Sequence, residues 1–236
     1  MIAVFVNMAT VLAGSLLGIL LRNRLKVSLQ DALMKALALC TMLIGVSSAI
    51  GTADVLCVIV CMVLGTALGE WIRIDDGIEH AGDWIKGKLF KNGGGESRFT
   101  EGFVSACILF CIGSMTIVGS LEAGINHNYS IIFAKSTLDF VSSMAFGAAM
   151  GFGVTCSALF ILVFQGGLTL LAGLVSPYLS QAVITEMTAA GGTILIGMGL
   201  NMLELSEKRI KVANMLPAIF LPIAYVPFAA WITSLF

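Results

Sequence analysis

Residues 140–185 contain no Asp, Glu, Lys or Arg. As one continuous helix these 46 residues would be roughly 69 Å long, more than twice the hydrocarbon thickness of a bilayer, about 30 Å. A soluble core cannot absorb a run of that length, and a single membrane crossing cannot either. The chain must cross, turn and cross again. Gly147, Gly151 and Gly153, followed by Thr155 and Ser157, supply the expected turn; Gly166-Gly167 and Pro177 are rival break points.

The rest of the chain repeats the pattern. A span needs about 20 apolar residues, and segments meeting that condition fall at 2–21, 33–51, 54–72, 102–121, 133–153, 155–175, 182–203 and 213–235. Hydrophobic residues make up 58 % of the 236 residues and charged residues 11 %. Soluble domains carry roughly 25 % charge, so a separate soluble domain has no sequence left to form it. The expected architecture is all-α: a polytopic membrane helix bundle of about eight transmembrane helices, one domain over 1–236. No basic run precedes the first apolar segment, so it is read as a retained helix rather than a signal peptide.

Basic residues orient such a bundle, because cytoplasmic loops carry the Lys and Arg. With eight spans and both termini outside, Arg22, Arg24, Lys26 and Lys35 fall on one side. Arg73, Lys86, Lys88, Lys91 and Arg98 join them there, as do Lys208, Arg209 and Lys211. That is 12 of the 13 basic residues, Lys135 being the exception. Seven spans would put the last three outside. The third cytoplasmic turn has no charge, so it is expected to be tight or partly submerged. Residues 75–100 form the one long polar segment, with Ile78, Ala81, Trp84, Ile85 and Leu89 at near-helical spacing. They are expected to form an amphipathic helix on the cytoplasmic surface.

Thr41-Met42-Leu43-Ile44-Gly45 and Thr193-Ile194-Leu195-Ile196-Gly197 match at four of five positions in spans that would cross in opposite directions. An inverted repeat of helices 1–3 and 6–8, of the kind transporters use, is one reading. Chance among apolar residues is the other; Ile44-Gly45 to Gly51 also matches Ile112-Gly113 to Gly119. Gly14/Gly18, Gly65/Gly69 and Gly147/Gly151 are small-xxx-small pairs. They signal close helix packing, or a homodimer face.

An ionisable group at the bilayer centre costs roughly 2.5–3.5 kcal/mol on insertion scales, so each one is a candidate for function. Lys135-Ser136-Thr137-Leu138-Asp139 opens the fifth span, and Lys135 and Asp139 at i, i+4 share a face. They form either a solute- or ion-binding face or an interfacial anchor with Lys135 snorkelling to water. Ser114 and Thr116, between Gly113 and Gly119, suggest a helix break whose hydroxyls and carbonyls touch a ligand or Na⁺. Gly166 and Gly167, after Gln165, suggest a second break in the sixth span. Asn7, Asn201 and Asn214 are cheaper to bury and bond across helices or bind solute. Glu70, Glu122 and Glu186 lie near the interfaces, where solvation is the simpler expectation. The six cysteines lie in apolar segments and read as small buried hydrophobes. No catalytic constellation, phosphate-cradling motif or metal-ligand spacing is present, so no enzyme activity, cofactor or metal is expected. Nor does a basic stripe suggest nucleic acid.

Asn7 with Val11, Gly14 and Gly18 begins an ordered set of features. Leu64-Gly65-Thr66-Ala67-Leu68-Gly69-Glu70, Phe110-Cys111 with Gly113, Ile117 and Gly119, and Ala134-Lys135-Ser136 with Leu138-Asp139-Phe140 continue it. Val212-Ala213-Asn214-Met215-Leu216-Pro217-Ala218 completes it. As a set they resemble an uncharacterised bacterial inner-membrane family, domain of unknown function 554, typified by YqgA and YdfK. The resemblance implies a multi-pass inner-membrane protein and supplies no activity. It singles out Lys135, Asp139, Glu70 and Asn214. The function expected from the residues is a secondary transporter of a small solute, coupled to Na⁺ or a proton. A channel or passive pore is one alternative, and a non-transporting scaffold or sensor is another.

Overall fold

In α1 (Ile2–Arg22) the buried residues are Ala3, Val4, Asn7, Val11, Gly14, Ser15 and Gly18. Steps of three and four draw one stripe along a helix. The other side is equally apolar but faces outward, with Leu20 at 65 % exposure. α2 (Val27–Ala49) and α3 (Val55–Ile72) do the same, exposing Leu43 and Val63. A helix apolar on every side that buries only a seam suits hydrocarbon as its solvent. This computed structural model describes residues 1–22, 27–77, 80, 99–111, 113–205 and 208–233. Most of the expected amphipathic surface helix at 75–100 therefore lies outside the described residues.

The chain continues through α4 (Phe99–Cys111), α5 (Ser114–Ile125), α6 (Ser130–Met150), α7 (Phe152–Leu170) and α8 (Gln181–Met202). A 3₁₀ segment, Val212–Ile219, leads into α9 (Pro222–Thr233). Among the described residues the secondary structure is entirely helical. Six helices are long and apolar enough to cross a membrane, and eight passes result if α4 with α5 and the 3₁₀ segment with α9 each make one bent span. The bends are 60° and 45°. Pro217 and Pro222 account for the second, since proline deletes a backbone donor and clashes with the preceding turn. Gly113, at φ +140°, accounts for the first.

Glycine contacts give the directions of the spans. Gly14 and Gly18 of α1 meet Phe140–Ser143 and Met144–Ala148 of α6, so these two run parallel. Gly153 of α7 meets Phe99 and Phe103 of α4, and Gly124 of α5 meets Thr169, also parallel. Gly45 of α2 meets Gly192 of α8 while Gly199 meets Ala38 and Met42, an antiparallel pair. Gly65 and Gly69 of α3 meet Ala218 and Asn214, again antiparallel. All four relations agree with direction alternating along the chain and α4–α5 counted as one crossing. Packing and hydropathy are thus both consistent with eight passes.

Those contacts use the Gly14/Gly18, Gly65/Gly69 and Gly147 faces inside the chain. A homodimer through them would have to displace an intramolecular helix. The α6–α7 turn is one residue, Gly151 at φ +77°, which sits within the cluster of small residues expected to form it. Two expected breaks are not breaks. α7 runs unbroken through Gly166 and Gly167, and Gly119 lies inside α5 against Ile131 and Ile132. Gly119 permits a close approach of α6, whereas a Cβ at Gly167 would meet nothing within 4 Å.

Candidate functional site

The buried side of α6 carries Ile132, Lys135, Ser136, Asp139, Ser143, Phe146 and Gly147. Steps of three and four place all of them on the seam that packs against α1. The two charges therefore enter the protein interior. Lys135 and Asp139 are each 6 % exposed and form a direct ion pair. Lys135 does not snorkel to water, so the anchor reading fails. Its ammonium also lies over the Phe110 ring, 5.9 Å from the centroid, a favourable cation–π geometry.

Asn7 of α1 is fully buried and faces the Asp139 carboxylate. Its Nδ2 donates to Oε1 of Gln165 at 3.0 Å, and Gln165 is itself fully buried on α7. Three helices thus contribute four polar side chains to one interior point. Their hydrogen bonding is incomplete: Asn7 Oδ1 and Gln165 Nε2 have no partner. Ser120 Oγ has none either, and it lies one turn from Gly124 as Gln165 lies one turn from Thr169, in two helices that touch at that level. A buried unpaired polar atom costs about 1–3 kcal/mol. Unpartnered amide atoms beside an ion pair make this point the candidate site for a polar occupant.

The other expected site residues divide differently. Thr116 is buried, but its hydroxyl donates to the Phe110 carbonyl at 3.1 Å, satisfying an acceptor released by the bend at Gly113. Ser114 is exposed. Ser136 donates to the Ile132 carbonyl of its own helix, the usual bond for a hydroxyl within a helix. Asn201 spans its loop, donating to the Ile210 carbonyl and accepting from the Ile210 amide, both at 2.8 Å. Asn214 accepts from the Asp75 amide at 2.7 Å and donates to Glu70 at 2.5 Å. Glu70 and Asn214 thus lie together at one end of the bundle, with Arg209 on Asp75 at 3.0 Å and Lys211 on Asp76 at 3.3 Å. Hydrogen bonding and attraction from Asp76 hold the Lys211 ammonium above its ordinary value. This is a clamp between α3 and the 3₁₀ segment, away from the interior pair.

Glu186 corrects the sequence reading. It is 2 % exposed, not solvated. Its carboxylate accepts from Thr52 Oγ1 at 2.5 Å, the Ala53 amide at 2.8 Å and the Asp54 amide at 3.2 Å. It locks the α2–α3 turn to the start of α8. The clue lay in its position, since a residue six places into an apolar span is already a full turn below the helix end. All six cysteines are free; Cys40 is exposed and Cys156 half-buried, while Cys57, Cys61, Cys107 and Cys111 are buried. Cys57 and Cys61 approach to 3.9 Å between sulfurs.

A multi-pass helical membrane protein with a buried ion pair between its helices is the class these features define. Residues 2–227 match the family described as "protein of unknown function (DUF554)", and the chain belongs to that family. It is 27 % identical over 220 residues to "Uncharacterized membrane protein YdfK" of Bacillus subtilis (strain 168), covering 92 % of this chain and 91 % of the relative. It is 29 % identical over 230 residues to "Uncharacterized protein YqgA" of Escherichia coli (strain K12), covering 96 % of each. No solved structure matches.

Proposed function

We propose that this protein is a secondary transporter that carries a small anionic solute together with a proton by alternating access. The observation that carries the reading is the buried Lys135–Asp139 pair, flanked by the half-satisfied amides of Asn7 and Gln165. Breaking a buried ion pair by removing one charge costs about 3–5 kcal/mol, because the survivor is left uncompensated. Lys135 therefore needs one anionic partner at all times. When Asp139 is ionised, that partner is internal. When Asp139 takes a proton, a solute carboxylate or similar anion can replace it. The anion and the proton enter together, and the empty site returns in its ion-paired form. The cycle is electroneutral. A proton suits this exchange better than Na⁺, which would bring a second cation against the Lys135 ammonium.

In this reading spans 1–3 and 6–8 are an inverted pair that frames the movement, and the antiparallel packing of α2 on α8 fits such a pair. The bend at Gly113 gives the fourth span a point at which its halves can reorient. The proposed setting is the bacterial inner membrane, with both termini extracytoplasmic and the clamp of Glu70, Asp75, Arg209 and Lys211 on the cytoplasmic side. Lys135, Asp139, Asn7 and Gln165 are the proposed binding residues.

The test is uptake and counterflow in proteoliposomes under an imposed pH gradient. Asp139→Asn should abolish net proton-driven uptake, because the empty carrier cannot neutralise Lys135, yet preserve solute exchange. Lys135→Ala should abolish both. Net uptake unchanged in both variants would remove the assignment, and discrete single-channel currents would favour a pore.

A further inference from the structure

A cavity of about 200 Å³ lies beside the bend of the fourth span. Its wall comes from α4, α5, α7, α8 and the 3₁₀ segment, and includes Phe103, Cys107, Ile117, Phe164, Met187 and Ile219. The lining is almost wholly apolar. Val104, Ile108, Ile117, Met187 and Ile219 belong to one core cluster, and Cys111 with Phe164 to the next, so the cavity lies where the two cores fail to close on each other. Gly113 lines it, and a Cβ at that position would meet nothing within 4 Å.

The charged pair does not line the cavity but lies near it, through Phe110 and Cys111. Cys111 lines the cavity and lies within electrostatic range of both Lys135 and Asp139. Its neighbour Phe110 is the ring over which the Lys135 ammonium sits. A molecule reaching from one to the other meets a cation at one end and hydrocarbon at the other. Resting on the transporter reading above, we infer that the solute is an amphipathic monocarboxylate, its carboxylate on Lys135 and its apolar body in the cavity against Cys107, Ile117 and Phe164. Size follows from volume. An engineered apolar cavity of about 150 Å³ holds benzene, so this one takes a phenyl ring with up to two further carbons, or an alkyl chain of similar bulk. The acid then has about seven to nine carbons. Sugars, amino acids and inorganic anions would leave the cavity unfilled or force polar groups into it.

The experiment measures binding to the purified full-length protein by calorimetry. Probes are the unbranched carboxylates from acetate to dodecanoate, then benzoate, phenylacetate and 3-phenylpropanoate, with phenylacetamide as the uncharged control. Each buried methylene should tighten binding about fourfold, up to seven to nine carbons, after which affinity should fall. Phenylacetamide should bind at least tenfold more weakly than phenylacetate in the wild type, and that preference should vanish in Lys135→Ala. Cys107→Leu, which fills part of the cavity, should move the optimum to shorter acids. The chain-length series on the wild type stands even if that variant does not fold. Lys135-dependent acetate binding with no gain from added carbons would overturn the inference and leave the carrier reading intact. Chain-length gain shared equally by acids and amides, and indifferent to Lys135, would also overturn it, marking the cavity as a seat for a lipid acyl chain. If Lys135→Ala and Asp139→Asn further leave proton-driven flux unchanged, the carrier reading falls with it.

Discussion

The seventh and fourth spans are both rich in glycine, yet only one of them breaks. α8 contains Gly191, Gly192, Gly197 and Gly199 and runs without interruption from Gln181 to Met202. The fourth span contains Gly102, Gly113, Gly119 and Gly124 and bends by 60° at Gly113. The neighbours make the difference. A Cβ at Gly192 would come within 2.6 Å of the Gly45 carbonyl and 2.7 Å of the Ala49 amide, so the residue is glycine to let two backbones touch. At Gly113 there is open space and a backbone conformation that L-residues avoid. One glycine closes an interface and the other makes a bend. The apolar cavity lies by the open one.

That contrast can be tested by substitution, with thermal unfolding of the purified protein as the measurement. Asp139→Ala should be the most damaging, by about 3–5 kcal/mol, since it strands the Lys135 charge. The Lys135→Ala/Asp139→Ala double variant should recover much of that loss; an additive result would deny that the two act as a pair. Gly192→Ala should cost about 1–3 kcal/mol through overpacking at a seam with no flexible side chain to yield. Gly113→Ala should cost about 1 kcal/mol or somewhat more, from backbone strain alone, and should slow flux more than it lowers stability. A straightened and more active Gly113→Ala protein would refute the hinge. The smallest effect belongs to Gly167→Ala. No neighbour lies within 4 Å there and the helix continues through it, so alanine should stabilise by about 0.5–1 kcal/mol.

The spans themselves were legible in the sequence because each is an apolar run bounded by charge or by a turn. Their ends moved by up to six residues: 182–203 became Gln181–Met202, while 33–51 became Val27–Ala49. The uncharged third turn was legible for the same reason. What each glycine does was not legible, because composition records the missing side chain and not the atoms that occupy its place. Gly119, Gly166 and Gly167 were misread on that account. Partner choice was hidden too: Gly14 and Gly18 announce a close approach without saying that α6 is what approaches. Glu186 and Asn7 find their partners more than 130 residues away, and only the tertiary arrangement brings those residues together. Lys135 and Asp139 were the exception. Four residues apart in a hydrocarbon setting, they had to find each other or not be tolerated.

The single-residue connection at Gly151 bears on how the protein is made. With Met150 ending one helix and Phe152 starting the next, the hairpin of α6 and α7 exposes no loop and carries no basic residue at its tip. During synthesis nothing on that tip tells the insertion machinery which leaflet it belongs to. Its direction must be imposed by the spans before and after it, so a reporter or a pair of arginines placed at Gly151 would probe the neighbours' hold on the hairpin rather than any preference of its own. The same brevity ties Lys135, Asp139 and Gln165 into one unit at birth, inserted together before α8 arrives to close the bundle over them.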